Sequence, residues 1–337
     1  MIGTVPIALG RARRLVAPEL ERRLATLSPE VQRVCRYHLG LADEAGRPTE
    51  GDGGKAVRPA LALLSAEAAG SSAETALPGA VAVELVHNFS LLHDDVMDRD
   101  GQRRHRATAW TVFGEGPAIL AGDGLLVLAH RTLLAAPTPQ RFVAAEALAH
   151  ATAAMIDGQA EDMAFQSRSS ASVDECLAMM AHKTGALLSC AASIGALLAG
   201  APGPVAGALA DFGLHLGLAF QAIDDVLGIW GDPQVTGKPA AGDLRERKKS
   251  LPVAAALEAG GPDALRLRDL LMGGEPVGHE LAEAVALVER LGGGRRARDV
   301  AERELVRCLA SLDRIELREQ AQTELEAVAR FVAEREF

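Results

Sequence analysis

Two short acidic motifs, each following an apolar stretch, are the residues of this sequence best suited to do chemistry. The first motif contains Asp94, Asp95 and Asp98, and the second contains Asp224 and Asp225. On a helix, Asp94 and Asp98 would share one face, where like charges repel. Burying such charges is unfavourable unless a cation neutralises them, and Mg²⁺ prefers carboxylate oxygens. The motifs therefore predict a magnesium site. The alternative, two solvated acidic faces, is less consistent with the apolar residues before each pair.

Basic residues distributed along the chain could bind an anion beside this metal. They are Lys55, Arg58, Arg103, Arg104, Lys183, Lys238 and Lys248. Metal ions combined with Arg and Lys bind phosphate groups, so the predicted ligand is a diphosphate held through Mg²⁺. Plainer interpretations stay open. Lys55 and Arg58 could belong to a simple helix start, the arginines to a surface charge network, and Lys183 could extend from an apolar helix to solvent.

The sequence does not fit other common chemistries as well. It contains no glycine-rich nucleotide-binding loop, no defensible Ser/His/Asp order and no zinc-ligand spacing. The pocket walls would come from Ala, Leu, Met and Phe, so the rest of the substrate is predicted to be apolar. A metal-bound diphosphate on a hydrocarbon suggests carbocation chemistry, in which metals stabilise the leaving group and apolar walls exclude water.

Composition favours helices as the elements that position these residues. The chain of 337 residues is 48% hydrophobic but only 3% aromatic, and strands prefer aromatic and β-branched residues. The net charge of −10 argues against a nucleic-acid-binding protein. The four cysteines show neither close pairing nor metal-ligand spacing, which indicates a cytosolic protein with reduced thiols. The N-terminal charge order does not fit a signal peptide. The longest apolar run, 186–200, is shorter than the about 20 residues of a membrane span.

Helical spacing of apolar residues predicts one all-α domain over residues 1–337, a bundle of roughly a dozen helices around a central cavity. The predicted helices include 60–69, the stretch leading into the first motif, 117–136, 141–165 and about 205–228. Some polar residues keep two interpretations. Asp123 is either a hydrogen-bonded core residue or part of the site, and Asp162 either supports the site or lies at the surface. His93 and His215 are expected to be core or supporting histidines.

With these motifs in order, the chain resembles the trans-type isoprenyl (polyprenyl) diphosphate synthases over about residues 55–252. The first acidic motif resembles the family's first Asp-rich motif, and Arg103 and Arg104 resemble the arginine pair that follows it. The family's isopentenyl diphosphate site is similar to a set of residues here, namely Gly53, Gly54, Lys55, Arg58 and His87. The family's binding site for the allylic substrate is similar to a second set, namely Lys183, Thr184, Phe220, Gln221, Asp224, Asp225, Lys238 and Lys248. The resemblance implies an isoprenoid-synthase-type bundle, usually a homodimer.

The resemblance also implies a mechanism. Three Mg²⁺ ions held by Asp94, Asp98 and Asp224 would grip the allylic diphosphate, and Asp95 and Asp225 are further predicted ligands. The allylic diphosphate would also be bound by Arg103, Lys183 and Lys238. After its C–O bond ionises, isopentenyl diphosphate attacks the allylic cation through its double bond. The residues implied to hold isopentenyl diphosphate are Lys55, Arg58, His87 and Arg104. The departing pyrophosphate takes the proton, and no protein base is assigned.

Four positions depart from the family pattern. Gly228 replaces the third Asp of the second motif, so we expect lower or altered metal affinity without loss of activity. Ala56 replaces an arginine, His105 a glycine and Ala107 a proline, and these changes are expected to touch substrate fit.

Residues just before the first motif are implied to close the pocket in which the product grows. Phe89 is large and Ser90 is small. One aromatic residue at this place suggests a C20 product, geranylgeranyl diphosphate, with C15 as the next choice. Two other functions stay open. A terpene cyclase on the same scaffold would need no second diphosphate site, and a non-catalytic partner subunit would have lost its metal ligands.

Overall fold

The computed structural model describes residues 5–49, 54–232 and 241–333, which are almost entirely helical. The first helices are α1 (Ile7–Leu24), α2 (Pro29–His38), α3 (Val57–Ala68), α4 (Ala73–Met97), α5 (Ala109–Phe113), α6 (Glu115–Leu133), α7 (Pro139–Ser167) and α8 (Val173–Met180). A π-helical turn, Ala181–Gly185, precedes α9 (Ala186–Leu198) and α10 (Gly203–Trp230). The chain then forms α11 (Gly242–Arg245), α12 (Leu251–Glu258), α13 (Gly261–Met272), α14 (His279–Arg290), α15 (Gly293–Leu312) and α16 (Glu319–Ala333).

A two-stranded hairpin interrupts the helices directly after the first acidic motif. Strands β1 (Gln102–Arg103) and β2 (Arg106–Ala107) pair antiparallel, with Gln102 opposite Ala107. The predicted all-α class is confirmed. The prediction of one domain over residues 1–337 extends beyond the described residues and stays a prediction.

The core lies where α3, α4, α9 and α10 pack against one another. Small residues let these helices approach closely. Gly195 of α9 faces α3, where an added Cβ would lie 2.5 Å from Ser65 Oγ and even closer to the Ala62 carbonyl oxygen. Buried Leu61 and Phe212 fill the space between the backbones. Tight packing of small and large side chains therefore fixes the helices that carry both acidic motifs.

Helices α4 and α10 carry the two motifs, and both are long and apolar enough to cross a membrane by length and composition alone. Within the protein, 61% of the most apolar window of α4 and 50% of that of α10 are buried. A core helix has the same composition, because it is apolar nearly all round.

All four cysteines are buried and unbonded to one another. Burial raises the pKa of Cys35, Cys176 and Cys190 to about 12. These thiols therefore stay protonated at neutral pH, and thiolate is the reactive form.

The C-terminal helices cover α10 from one side, and a half-buried ion pair joins α10 to α15. His215 Nδ1 lies 2.7 Å from Glu304 Oε2, and Arg307 Nη1 donates to Glu304 Oε1 at 2.9 Å. Burial alone would raise the pKa of Glu304, but the hydrogen bond from His215 and the charges of His215 and Arg307 hold it below its ordinary value. His215 thus pairs with Glu304, and its role as a core or supporting histidine stays a prediction.

We expect the Glu304 ion pair to make stability depend on pH. A carboxyl whose pKa is depressed by folding stabilises the protein above its unfolded pKa, about 4.3, and this contribution is lost as the pH falls further. Glu304→Gln should therefore lower the free energy of unfolding at pH 7, and the difference from the wild type should shrink below pH 4. Denaturant titrations at graded pH measure this. A difference that stays constant with pH would contradict the expectation.

Candidate active site

The first acidic motif ends α4, and its three carboxylates have different surroundings. Asp94 is half-buried, and loss of solvation raises its pKa to about 6, with the charge of Lys183 opposing the increase and that of Asp98 adding to it. Asp95 is only 1% exposed, and its Oδ1 accepts a hydrogen bond from Arg103 Nε at 2.6 Å. Lys248 Nζ lies 3.9 Å from Asp98 Oδ2. Asp95 and Asp98 therefore lie beside cationic side chains, whereas Asp94 is partly removed from solvent and its charged form is disfavoured.

The second motif lies near the end of α10, where a chain of hydrogen bonds fixes Asp225. The Thr184 hydroxyl donates to Gln221 Oε1 at 2.7 Å, and Gln221 Nε2 donates to Asp225 Oδ1 at 2.8 Å. The backbone N–H of Leu251 donates to Asp225 Oδ2 at 2.8 Å. Burial, with Asp243 nearby, raises the pKa of Asp225. Gln221 and Thr184 thus connect the π-helical turn with α10, and Asp225 connects α10 with α12.

Shared cations link the two motifs in space. Burial would lower the pKa of Lys248, but the carboxylates of Glu246, Asp243 and Asp98 together raise it above its ordinary value. Asp243 in turn lies against the second motif, because a Cβ on Gly228 would be 2.5 Å from Asp243 Oδ2. Lys248 therefore stands between Asp98 of the first motif and Asp243 beside the second. The structure places the acidic ends of α4 and α10 around one charged region.

Lys183 reaches this region from the π-helical turn. Its Nζ lies 2.5 Å from Asp162 Oδ2 of α7, so Asp162 is paired with a predicted site residue and is not a free surface acid. The turn packs directly on α7 at Gly158, where an added Cβ would lie 2.7 Å from the Lys183 Cα and closer still to its backbone nitrogen. A π-helical turn widens the helix locally and often marks a functional site. The plainer interpretation, in which Lys183 extends to solvent, is not what the structure shows.

A second cationic cluster surrounds the start of α3. Burial lowers the pKa of Arg58 to about 10, while Glu84 and Asp224 act in the opposite direction. The Arg58 Nε is buried and has no hydrogen-bond partner in the described part of the chain. Burial also lowers the pKa of His87, and the charges of Arg58 and Arg104 lower it further. A buried N–H without a partner is costly, so this cluster is suited to bind an anion.

Lys55 lies in the segment before α3. Side chains of the first helix, α1, and the last helix, α16, contact this segment. Arg13 of α1 donates to the Gly54 carbonyl, and the Lys55 ammonium lies 5.5 Å from the Phe331 ring centre of α16. Gly54 has φ of 76°, and an added Cβ would lie 3.0 Å from Arg104 Nη2. The glycine is needed for both its left-handed backbone and its close approach to Arg104.

Two of the four departures from the family pattern fall on left-handed backbone. Ala56 has φ of 52° and His105 has φ of 61°. Each non-glycine residue in this left-handed region is unfavourable by about 1–2 kcal/mol, which explains why glycine is the usual residue at the His105 position. Ala107 lies in β2, opposite Gln102.

The donors at the two motifs fit the predicted Mg²⁺. All are carboxylate oxygens, which suit a hard cation. The raised pKa of Asp94 indicates a half-buried carboxylate short of positive charge. Among the described residues, no three His, Cys, Asp or Glu side chains already form a metal-binding group. The carboxylates that could bind the ion therefore come from two helices, α4 and α10. Lys238, also predicted for this site, lies outside the described residues, as does Gly53.

Residues that the sequence interpretation missed complete the site. Glu84 bonds Asn88 one helical turn away, with the amide donating at 3.1 Å, and its charge faces Arg58. His38 lines a cleft beside the first motif together with Asp95 and Arg103. Burial, together with the nearby charge of Arg103, lowers the pKa of His38 to about 3. The contact between Glu84 and Asn88 could have been predicted from their four-residue spacing on a helix. The position of His38 depends on tertiary packing alone.

The residues predicted to limit product length lie one turn before the first motif. Phe89 is buried, at 6% exposure, and Ser90 Oγ donates to the His87 carbonyl at 2.9 Å. Phe89 packs edge-on against His93, whose ring reaches α6. His93 is therefore a supporting histidine, as predicted.

The fold and the site define an all-α protein in which two long helices carry acidic motifs beside two clusters of cationic side chains. Comparisons with known proteins agree. The polyprenyl synthetase family profile matches residues 42–288. The (2E,6E)-farnesyl diphosphate synthase of Mycobacterium tuberculosis is 47% identical over 99% of this chain and 94% of its own. The geranylgeranyl diphosphate synthase of the same organism is 41% identical, over 92% of this chain and 91% of its own.

Solved structures give the same result. A polyprenyl synthetase from Streptomyces coelicolor A3(2) superposes with a TM-score of 0.92 at 49% identity, covering 98% of this chain and 99% of its own. A geranylgeranyl pyrophosphate synthetase from Pyrococcus horikoshii Ot3 gives a TM-score of 0.87 at 32% identity, with 98% of both chains covered. The chain belongs to the polyprenyl synthetase family, and the predicted resemblance is confirmed.

Proposed function

We propose that this protein is a Mg²⁺-dependent prenyltransferase that condenses isopentenyl diphosphate head-to-tail with an allylic diphosphate. The proposed product has 20 carbons, and a product of 15 carbons is the second choice. The class of reaction, short-chain prenyl transfer, is confirmed by the farnesyl and geranylgeranyl diphosphate synthases among its relatives. The observation that carries the proposal is the pair of cationic clusters. One surrounds the acidic motifs and the other surrounds the start of α3, so the site offers two diphosphate positions.

For the metal, we assign the direct ligands to Asp94, Asp98 and Asp224, holding three ions. The carboxylates of Asp95 and Asp225 already accept hydrogen bonds from Arg103 and Gln221. Their role in the proposal is therefore to orient the helix ends rather than to bind metal directly. When bound, Mg²⁺ would supply positive charge that stabilises the leaving diphosphate.

The chain's own cations hold the allylic diphosphate in this proposal. Lys183 is aimed by Asp162 and Lys248 by Asp98 and Glu246, so both ammonium groups are fixed before substrate arrives. Arg103 and Lys238 add further charge, and Thr184 and Gln221 shape the same wall. Preorganised charge at the departing oxygen favours cleavage of the C–O bond, since no reorganisation is needed during the reaction.

Isopentenyl diphosphate is assigned to the cluster of Lys55, Arg58, His87 and Arg104. The unsatisfied Arg58 Nε and the neutral His87 ring provide donors for its phosphate oxygens. Its double bond attacks the allylic cation, a new C–C bond forms, and a proton is lost to the released pyrophosphate. Atoms and charge then balance without a protein base.

The direct test is to incubate the purified protein with Mg²⁺ and graded allylic diphosphates, with and without isopentenyl diphosphate, and to determine product masses. We expect prenyl diphosphates only when isopentenyl diphosphate is present. Hydrocarbon formed without it would support the terpene cyclase instead. A protein inert with every primer would support the non-catalytic subunit.

Product length is expected to depend on Phe89. Phe89→Ala removes a buried ring one turn before the metal motif, so the growing chain gains room. We expect the main product to become at least one isoprene unit longer, measured by the mass of the dephosphorylated alcohols. Leu92→Ala is the matched control, because it also truncates a fully buried side chain of α4 and should leave the product unchanged. An unaltered product from Phe89→Ala would show that another residue sets the limit.

We further propose that the protein is a homodimer in the cytoplasm. Large apolar side chains are exposed along α6 and α7, namely Ile119, Leu120, Val127, Phe142, Val143, Ile156 and Met163. Leu120 is 60% exposed and Phe142 is 70% exposed. Contiguous exposed apolar residues mark protein–protein interfaces, and a self-complementary one gives a two-fold dimer. The buried, unpaired cysteines support the cytoplasmic assignment.

Light scattering tests the dimer. We expect a molar mass twice the 35.2 kDa of one chain. Leu120→Asp should shift the mass toward the monomer. Val306→Asp is the control, since Val306 is similarly exposed, at 67%, on α15, and it should leave the dimer intact. A wild-type mass of one chain would contradict the proposal.

A further inference from the structure

His93 fills a slot between α4 and α6 that only glycine leaves open. Its ring lies against Gly122 of α6, where an added Cβ would be 3.4 Å from the ring Cε1 and closer still to Nε2 and Cδ2. Gly122 is buried inside α6, and its φ is not in the left-handed region. The glycine is therefore explained by contact with His93 and not by backbone conformation.

The backbone of α6 holds the outer edge of this ring. His93 Nε2 lies 3.1 Å from the Ile119 carbonyl oxygen. A carbonyl only accepts hydrogen bonds, so Nε2 carries the proton and donates. Asp123 Oδ1 lies 3.7 Å from the same nitrogen. With Gly122 beside it and Ile119 at its tip, the ring cannot move farther toward α6.

The same ring also contacts Phe89. The two ring centres are 4.8 Å apart with an interplanar angle of 68°, an edge-to-face pair. Phe89 and His93 are four residues apart on α4, so their side chains share one face. Phe89 is 6% exposed. His93 therefore contacts both the α6 backbone and Phe89.

We propose that His93 is a positioning residue that sets product length by holding the Phe89 ring in place. This proposal rests on the proposed function, in which Phe89 closes the pocket for the growing chain. His93 does not touch the substrate. It acts as a spacer of fixed thickness between α6 and Phe89, so a thinner spacer should deepen the pocket and a displaced one should make it shallower.

Two substitutions should therefore shift the product in opposite directions. His93→Ala removes the support, and the Phe89 ring can turn into the vacated slot. We expect the ratio of longer to shorter product to rise about fivefold, the change expected from loss of an aromatic pair. Gly122→Ala should push the His93 ring toward Phe89 and lower the same ratio by a similar factor. A purely structural role would not change the product in opposite directions.

Three further variants make the test specific. The double variant Gly122→Ala/His93→Ala should restore longer products, because the ring that the new methyl group displaces is gone. His93→Gln keeps a donor for the Ile119 carbonyl but has no ring, and it should resemble His93→Ala. Gly116→Ala is the matched control on α6, since an added Cβ there meets nothing within 4 Å, and it should leave the ratio unchanged.

The outcomes separate this inference from the proposed function. If Phe89→Ala lengthens the product while His93→Ala and Gly122→Ala leave it unchanged, the spacer role is overturned and the role of Phe89 stands. If Phe89→Ala also has no effect, the proposed role of Phe89 fails first. Adding His93→Ala to Phe89→Ala should cause no further lengthening, and an additive effect would overturn the spacer role. Thermal unfolding of each variant identifies any that do not fold.

Discussion

Asp94→Asn is expected to lower turnover by about a hundredfold or more, the usual effect of removing one preorganised electrostatic contact at a reacting group. The carboxylate lies on one helix face with Asp98, and we propose that both bind the metal beside the leaving diphosphate. Asparagine has nearly the same shape, so the loss reports charge and metal affinity rather than packing. Steady-state kinetics with saturating substrates and a Mg²⁺ titration measure it.

The same substitution should leave the metal-free protein as stable as the wild type or more stable at pH 7. Burial raises the pKa of Asp94 to about 6. A carboxyl whose pKa rises on folding opposes folding above that pH, because its charged form is disfavoured in the native state. Asp123→Asn is the control, since Asp123 is 57% exposed on the neighbouring helix, and it should retain activity. Full turnover in Asp94→Asn would refute the proposed ligand role.

Gly158→Ala is expected to cause the largest combined loss of stability and activity. The added methyl group would lie 2.7 Å from the Lys183 Cα. Backbone atoms of a packed helix cannot rotate away, so α7 and the π-helical turn must separate, typically at about 1–3 kcal/mol. The separation would also move Lys183 and Thr184 away from the diphosphate. Denaturant unfolding and turnover should both fall.

Gly207→Ala is the matched control for this change. Gly207 lies in α10, where an added Cβ meets nothing within 4 Å, so alanine should stabilise the helix by up to about 1 kcal/mol. Activity should be unchanged. If Gly158→Ala behaved like Gly207→Ala, the close contact between α7 and Lys183 would not control the site.

The helices around the site could be predicted because the composition favours helix and because a stretch that is apolar nearly all round is typical of a buried central helix. The predicted helix 117–136 corresponds to α6 (Glu115–Leu133), and 141–165 corresponds to α7 (Pro139–Ser167). Both acidic motifs also lie near the ends of helices, as their position after apolar runs indicated. Their roles as metal ligands stay predictions.

The partners of the site residues could not be predicted, because they come from distant parts of the chain. Asp162 was left undecided between site and surface, and only packing of the π-helical turn on α7 brings it to Lys183. Asp243 had no assigned role. Its carboxylate lies in the space beside Gly228, where the family usually has an aspartate. The local sequence shows which residues are charged and where helices form. These pairings depend instead on which helices pack together.

The four buried cysteines make the protein a convenient starting point for site-specific spectroscopy. Thiols with pKa values near 12, such as Cys35 and Cys190, react slowly with maleimides at neutral pH. A single cysteine introduced on an exposed helix face would therefore be labelled in the native protein without first replacing the natural ones. Dyes placed on α7 and α16 could then report helix movements during turnover in an otherwise unmodified enzyme.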